Sequence, residues 1–163
     1  PLGIIGQSFG QVFMNRCAEM VNKGQSIVSL VKKTTGTLFL LSLVPFTILF
    51  FFGEPLFAFV FGKEWGVSGV YAAIMSPWLM INFILSPVSG MPLVLGRQKE
   101  VFLIGLISAF AQLFVFGVVP YLLPSERVTM SFLLWCATGF QVVFLLVVWR
   151  LYIGFARAGR KRL

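Results

Sequence analysis

Residues 34–53 read TTGTLFLLSLVPFTILFFFG, a run without a single charge. As a helix, such a run of about 20 residues rises about 30 Å, the thickness of the hydrocarbon core of a bilayer. Three more uncharged runs follow, at 65–96, 101–125 and 128–149, and each is long enough to cross. The composition agrees, with 58% hydrophobic and 11% charged residues and a mean hydropathy of +0.95. Soluble domains hold about 45–50% apolar and about 25% charged residues. The chain is therefore expected to be an all-α integral membrane protein.

Residues 1–15 are also uncharged and end at Arg16, with no charged leader or small-residue cleavage site before them. They read as the end of a helix begun upstream, not as a signal peptide. The expectation is four complete transmembrane helices, at 34–53, 67–96, 101–123 and 128–150, plus the end of a fifth at 1–16. The sequence is then the C-terminal piece of a longer transporter.

Charge sets the expected orientation. Eleven of the thirteen Lys and Arg fall in three stretches: Arg16, Lys23, Lys32 and Lys33; Arg97 and Lys99; and Arg150, Arg157, Arg160, Lys161 and Arg162. Only Lys63 and Arg127 lie in the alternate loops. Four crossings place the three rich stretches on one side, which the positive-inside rule assigns to the cytoplasm. The net charge of +8 is thus an orientation signal with headgroup contact in the basic tail at 151–163, not a nucleic-acid footprint.

Several chemistries drop out. The chain has no His and its five acidic residues are all Glu, so no His-based triad, HExxH zinc site or acidic metal cluster can be assembled. No catalytic residue, metal or cofactor is implied, and loops of about 4 to 18 residues leave an enzyme little room. Glu19, Glu54, Glu64, Glu100 and Glu126 all lie in loops or at span ends, so no carboxylate is placed at mid-membrane to carry a proton or Na⁺. Cys17 and Cys136 fall too far apart along the spans to pair, and each reads as a small core residue.

Proline and glycine punctuate the spans. Pro45 is expected to kink the first, and Gly53 to end it. Residues 54–62, with Pro55 in a first turn and Gly62 as a cap, read as a short helix in the outer interface. Pro77, Pro87 and Pro92 predict a bent or broken second span, while 101–123 and 128–150 read as ordinary helices joined by a turn at 124–127.

Polar residues inside the spans point to inward faces. Gln7, Gln11 and Asn15 lie at i, i+4 and i+8 of the first helix, ending at Arg16. Asn82, Ser86, Ser89 and Gly90 share a face of the second complete span, and Gly105, Ser108, Ala109 and Gln112 one of the third. Gln141 is the main polar residue of the last. Such residues either tie helix to helix, at about 0.6–2 kcal/mol each, or line a hydrophilic passage. Gln7, Gln11, Asn15, Arg16, Asn82, Ser86, Gln112 and Gln141 are the candidate passage residues.

The segment GEPLFAFVFGKEWGVSGVYAAIMSPWLMINFILSPVSGMPLVLGRQKE, at 53–100, resembles the bacterial polysaccharide exporters and lipid-linked oligosaccharide flippases of the MATE-related superfamily. The resemblance rests on Gly53-Glu54 with Phe57, Phe61-Gly62 before Glu64-Trp65, Gly69, Tyr71, Pro77-Trp78, Phe83, Ser86-Pro87 and Gln98. GQSFGQVF at 6–13 resembles the segment these proteins carry upstream, and the last two spans match in pattern only. The resemblance implies a twelve-helix, two-lobe transporter in the bacterial cytoplasmic (inner) membrane, with this chain as the end of the eighth helix and the ninth to twelfth. It further implies translocation of undecaprenyl-pyrophosphate-linked oligosaccharide for O-antigen, capsule or exopolysaccharide synthesis. Membrane lipids and the polysaccharide polymerase machinery would be its partners. A small-molecule exporter of the same fold and a non-transporting scaffold subunit of a polysaccharide assembly complex are the alternatives.

Overall fold

The structure, a computed structural model, describes the backbone of residues 2–122 and 129–158 and the side chains of 10–120, 122 and 129–157. The 124–127 turn, the last five residues with Arg160, Lys161 and Arg162, and the side chain of Gln7 lie outside the described residues.

Among those described, every regular element is helical. In order they are α1 (Leu2–Asn22), α2 (Val28–Phe61), a 3-10 turn (Lys63–Trp65), α3 (Gly66–Leu85), a second 3-10 turn (Ser86–Val88), α4 (Met91–Val94), α5 (Gln98–Leu113), a π-helical segment (Phe114–Val118), α6 (Val119–Leu122) and α7 (Met130–Ala158). Four stretches, Val28–Phe61, Lys63–Val94, Gln98–Val118 and Met130–Arg157, are long and apolar enough to cross a membrane.

The pairing of α2 with α3 is the most extensive in the chain. On α2 the buried positions are Val31, Thr35, Leu38, Ser42 and Gly53, and on α3 they are Gly66, Gly69, Ile74, Ser76 and Leu85. Most are small. Lipid supplies no hydrophobic drive between helices, so association relies on close backbone approach. The buried hydroxyls do not need partners across the seam: Thr35 donates to the Val31 carbonyl, Ser42 to Phe39 and Ser76 to Ala73, each at 2.9 Å. At the far end of the seam Gly53 and Gly69 meet backbone to backbone. A Cβ on Gly53 would lie 2.5 Å from the Gly69 carbonyl oxygen, and one on Gly69 would lie 2.8 Å from the Cα of Glu54.

Gly53 does not end α2, as the sequence suggested. The dihedrals leave the helical range only at Phe52 (φ −123°, ψ 18°), and the helix then runs on to Phe61. Pro55 accounts for the bend: it has no N–H for the Phe51 carbonyl and its ring crowds that carbonyl, so the adjoining residue yields. Residues 54–61 are therefore the far arm of α2, not a separate helix. Pro45 is accommodated with helical dihedrals on both sides. Gly62 (φ 108°) stops the arm, its N–H returning to the Ala58 carbonyl at 3.1 Å.

The next span is broken where its prolines cluster. Pro87 and Pro92 sit in the first turns of the 3-10 segment and of α4. Irregular backbone at membrane depth is tolerated only against protein or water, and here α1 covers it. Pro87, Val88, Met91 and Pro92 are buried. Gly10 faces Pro87, with a Cβ there 3.8 Å from the Pro87 Cα, and Met14 fills the space over Gly90.

This covering is part of a core formed by Phe13, Cys17, Ile27, Val31, Val88, Met91, Val148, Tyr152 and Ala156. The core joins the end of α1, the start of α2, the broken end of the α3 span and the end of α7, so Arg16, Lys23, Lys32, Lys33, Arg97, Lys99, Arg150 and Arg157 gather at one end of the bundle. Two helices outrun their expected limits there. The helix α1 continues past Arg16 to Asn22, and α7 past Arg150 to Ala158, because Tyr152 and Ala156 recur on a face that packs into this core. Gly24 (φ 67°) and Gly96 (φ 69°) turn the chain at this end. Each closes a Schellman motif, with the Gln25 N–H on the Met20 carbonyl and the Arg97 N–H on the Pro92 carbonyl, both 2.8 Å.

The span expected as an ordinary helix at 101–123 is not one. After Leu113 it widens into a π segment in which the Val119 N–H bonds the Phe114 carbonyl. Pro120, with no N–H for the Phe116 carbonyl, follows directly. Cys17 is buried and free, whereas Cys136 is free and exposed rather than in the core.

Gly69→Ala should destabilise the protein by about 1–3 kcal/mol through overpacking. Gly105→Ala, whose Cβ meets nothing within 4 Å, should be neutral or stabilise by up to about 1 kcal/mol through helix propensity. Unfolding in detergent micelles measures both, and equal effects would contradict the seam.

Candidate functional site

The eight candidate residues do not converge on one place. The structure distributes those it describes between two.

The first lies at the basic end. Gln11, Asn15 and Arg16 are exposed on α1, whose opposite face buries Phe13 and Cys17. The helical spacing that aligned the amides also turns them away from the core. Gln11 and Asn15 line an open concavity of about 480 Å³ together with Gly10 and Met14. Because α1 packs on the Ser86–Val88 turn, this face adjoins the element that carries Ser86. Asn82, one turn earlier, and Ser86 are both exposed, and the Ser89 hydroxyl donates to the Ser86 carbonyl at 2.7 Å.

Electrostatics at this end leave Arg16 available. The two ion pairs among the described residues are Lys23 with Glu19, at 2.6 Å, and Arg97 with Glu100, at 3.4 Å. The hydrogen bond from Lys23 and then its charge hold the Glu19 carboxyl below the usual range, with a lesser contribution from Arg16. Arg97, which sequence reasoning used only for orientation, is half-buried and lies 4.4 Å over the Phe155 ring. It ties the start of α5 to the end of α7.

The second place is deeper. Gln141 on α7 is buried, and its Nε2 donates to the Ser108 hydroxyl of α5 at 3.2 Å. Gln141 stands eleven residues before Tyr152 of the basic-end core, or about 16 Å along the helix, which is near the middle of a bilayer of about 30 Å. Gln112 and Gln141 line one cavity of about 100 Å³, walled by Met75, Trp78, Phe116, Leu134, Ala137 and Thr138. Phe116 belongs to the π segment, so the widened turn borders the amides. The buried Thr138 escaped sequence reasoning although it stands three residues before Gln141, on the same helix face. Met75 and Trp78 carried no signal, since their place depends on α3 packing against α7.

The two places differ in chemistry. The deep one is small and its best-placed amide is already paired, which makes Gln141 a tie between α5 and α7. The basic-end concavity is open, and its amides Gln11 and Asn15 make no side-chain hydrogen bond among the described residues. Among the described residues no group of three or more His, Cys, Asp or Glu could hold a metal ion.

These features define a class: an all-α chain with four helices long and apolar enough to cross a membrane, compatible with a multi-pass membrane protein. No family model, curated protein or solved structure matches the chain.

A double-mutant cycle on Gln141→Leu and Ser108→Ala should give a coupling of about 0.6 kcal/mol and at most about 1.7 kcal/mol. Detergent unfolding of the four proteins reads it, and additive effects would mean that the hydrogen bond does not hold the helices together.

Proposed function

We propose that the chain is part of a multi-pass transporter of the bacterial cytoplasmic membrane that moves undecaprenyl-pyrophosphate-linked oligosaccharide by alternating access, for O-antigen, capsule or exopolysaccharide synthesis. The observation that carries the reading is the amide face of α1. Gln11 and Asn15 line an open concavity at the basic end, and Arg16, the next residue of α1, is exposed and engaged in no ion pair among the described residues. Amides on an apolar helix are costly against lipid and useful against a polar cargo. Neutral amides exchange hydrogen bonds with sugar hydroxyls without binding them too tightly to leave. A guanidinium matches a phosphate in charge and fork geometry. The isoprenoid tail stays in lipid while the sugar and pyrophosphate pass. The resemblance of 6–13 and 53–100 to lipid-linked oligosaccharide flippases supports the same reading.

Alternating access needs elements that can change shape, and helices change shape most readily where their hydrogen-bond ladder is already interrupted. Two such places border the polar residues: the Ser86–Val88 turn beside α1 and the Phe114–Val118 π segment beside Gln112. The gathered basic ends face the cytoplasm under the positive-inside rule, which puts the C-terminus there as well. Glu19, Glu64 and Glu100 lie at helix ends or in a turn, whereas Glu54, expected at a span end, lies inside α2 just past the bend at Phe52; it stands about 32 Å along the helix from Lys33, so coupling to a proton or Na⁺ through a mid-span carboxylate is not part of the reading. Polysaccharide polymerase machinery would receive the cargo on the opposite side.

The test is translocation by the full chain as encoded, scored as surface polysaccharide and as transport of lipid-linked oligosaccharide in vesicles. Losing the Gln11 and Asn15 hydrogen bonds, at about 0.5–1.5 kcal/mol each, should slow transport about 5- to 150-fold in Gln11→Leu/Asn15→Leu at normal protein level. Arg16→Gln should weaken it separately. Wild-type export from both would overturn the assignment.

A further inference from the structure

The small cavity beside Gln141 lies between α3, α5 and α7, at the mid-membrane depth of that residue, and has a volume of about 100 Å³. Gln112, Thr138 and Gln141 are its polar lining residues. Thr138 and Gln141 are only 4% and 6% exposed.

Their hydrogen-bonding groups are not all satisfied within the protein. Gln141 donates to Ser108 through Nε2, which leaves its Oε1, and Thr138 makes no side-chain hydrogen bond among the described residues. Among those residues, however, no fully enclosed side-chain nitrogen or oxygen lacks a partner. The Gln141 Oε1 and the Thr138 hydroxyl are therefore not sealed in protein, and the open space that both residues border is this cavity. They stand three residues apart on one face of α7, so they face it together. Gln112 meets them from α5; it is exposed at the rim and also makes no side-chain hydrogen bond among the described residues.

Size and polarity select the occupant. Even with its mouth, the space between the walls is about 390 Å³, whereas one turn of a helix 10–12 Å across fills about 420–610 Å³. Another helix does not fit. An alkyl chain fits but would leave the Thr138 hydroxyl and the Gln141 oxygen unpaired in hydrocarbon. A cation would meet no charged lining residue to offset its lost hydration. Water needs room and a few polar partners, and the cavity supplies both. We infer that the cavity between α3, α5 and α7 holds a cluster of about three water molecules, at about 30 Å³ each, bound by the Gln141 Oε1, the Thr138 hydroxyl and the Gln112 amide.

The cluster links Gln112 of α5 to α7 one turn beyond the bond between Ser108 and Gln141. It also eases movement: water replaces either amide as a partner while α5, none of whose residues is buried, shifts against α7. The inference rests on this geometry and not on the cargo proposed above, so its test needs no transport.

The purified full chain in lipid bilayers is measured by solid-state NMR, with magnetisation started on water protons or, separately, on lipid methylene protons. Ser42 and Ser76 are the dry references, since both are buried and donate to carbonyls of their own helices. Transfer from water should reach Thr138 and Gln141 at least about 2-fold faster than the two serines. Ala137→Leu puts a larger side chain into the cavity and should cut that transfer to the level of Ser42. Thr138→Val keeps the shape without the hydroxyl and should slow transfer to Gln141, which keeps the inference testable if Ala137→Leu does not fold. Transfer to Thr138 and Gln141 no faster than to the serines would mean a dry cavity and would overturn the inference. Faster transfer from lipid methylenes than from water would mean that an alkyl chain fills the site, and unchanged transfer in both variants would mean that the water lies elsewhere; either result overturns it too.

Discussion

The backbone contact of Gly53 with Gly69 is the constraint on which the rest of the fold depends. In lipid an apolar surface gains nothing by turning inward, so two helices stay together only if their backbones come close and their buried polar groups are satisfied. The α2–α3 pair does both, with glycine and alanine at the crossing and hydroxyls bonded back within their own helices. Around this pair, α7 packs across α3, and α5 is held more loosely. None of the residues of α5 is buried, and its polar tie is Ser108 to Gln141. The hierarchy sets which parts can move: a rigid pair, a docked third helix, and a fourth attached at its start by Arg97 and near its middle by an amide.

The interruptions of regular helix are where polar chemistry becomes possible. The broken end of the α3 span needs a cover, and α1 supplies it through Gly10, Met14 and Phe13. Covering with that face leaves the opposite one, with Gln11 and Asn15, outward. The fold therefore exposes these amides as a consequence of protecting backbone elsewhere. The π segment likewise places Phe116 against the Gln112 and Gln141 cavity. The concavity lined by Gln11 and Asn15 and the apolar groove between α2, α3 and α7 share no lining residue.

Features that depend on local pattern were legible in the sequence, and features that depend on a second helix were not. Charge-free runs are local, so the four apolar stretches were visible. The break near Gly53 was placed within one residue but misread as an end, because the glycine serves α3 and the bend belongs to Pro55. Arg150 was taken as the limit of α7 on charge alone, although Tyr152 and Ala156 continue the apolar spacing. Pro120 was in plain sight, but the π turn is one of several ways to absorb a missing N–H. The Gln11 and Asn15 face followed from spacing. The union of Gln112 with Gln141, and the place of Lys32 in the lining of a groove, required knowing which helices touch.

The central claim is that four crossings bring the basic helix ends to one side. Single cysteines introduced by Lys23→Cys, Lys99→Cys and Lys63→Cys, in a Cys17→Ser/Cys136→Ser background, test it with a membrane-impermeant thiol reagent. The account predicts that Lys23→Cys and Lys99→Cys react from the cytoplasmic face and Lys63→Cys from the opposite one. Labelling of all three from the same face, or of Lys23→Cys and Lys99→Cys from opposite faces, would contradict it.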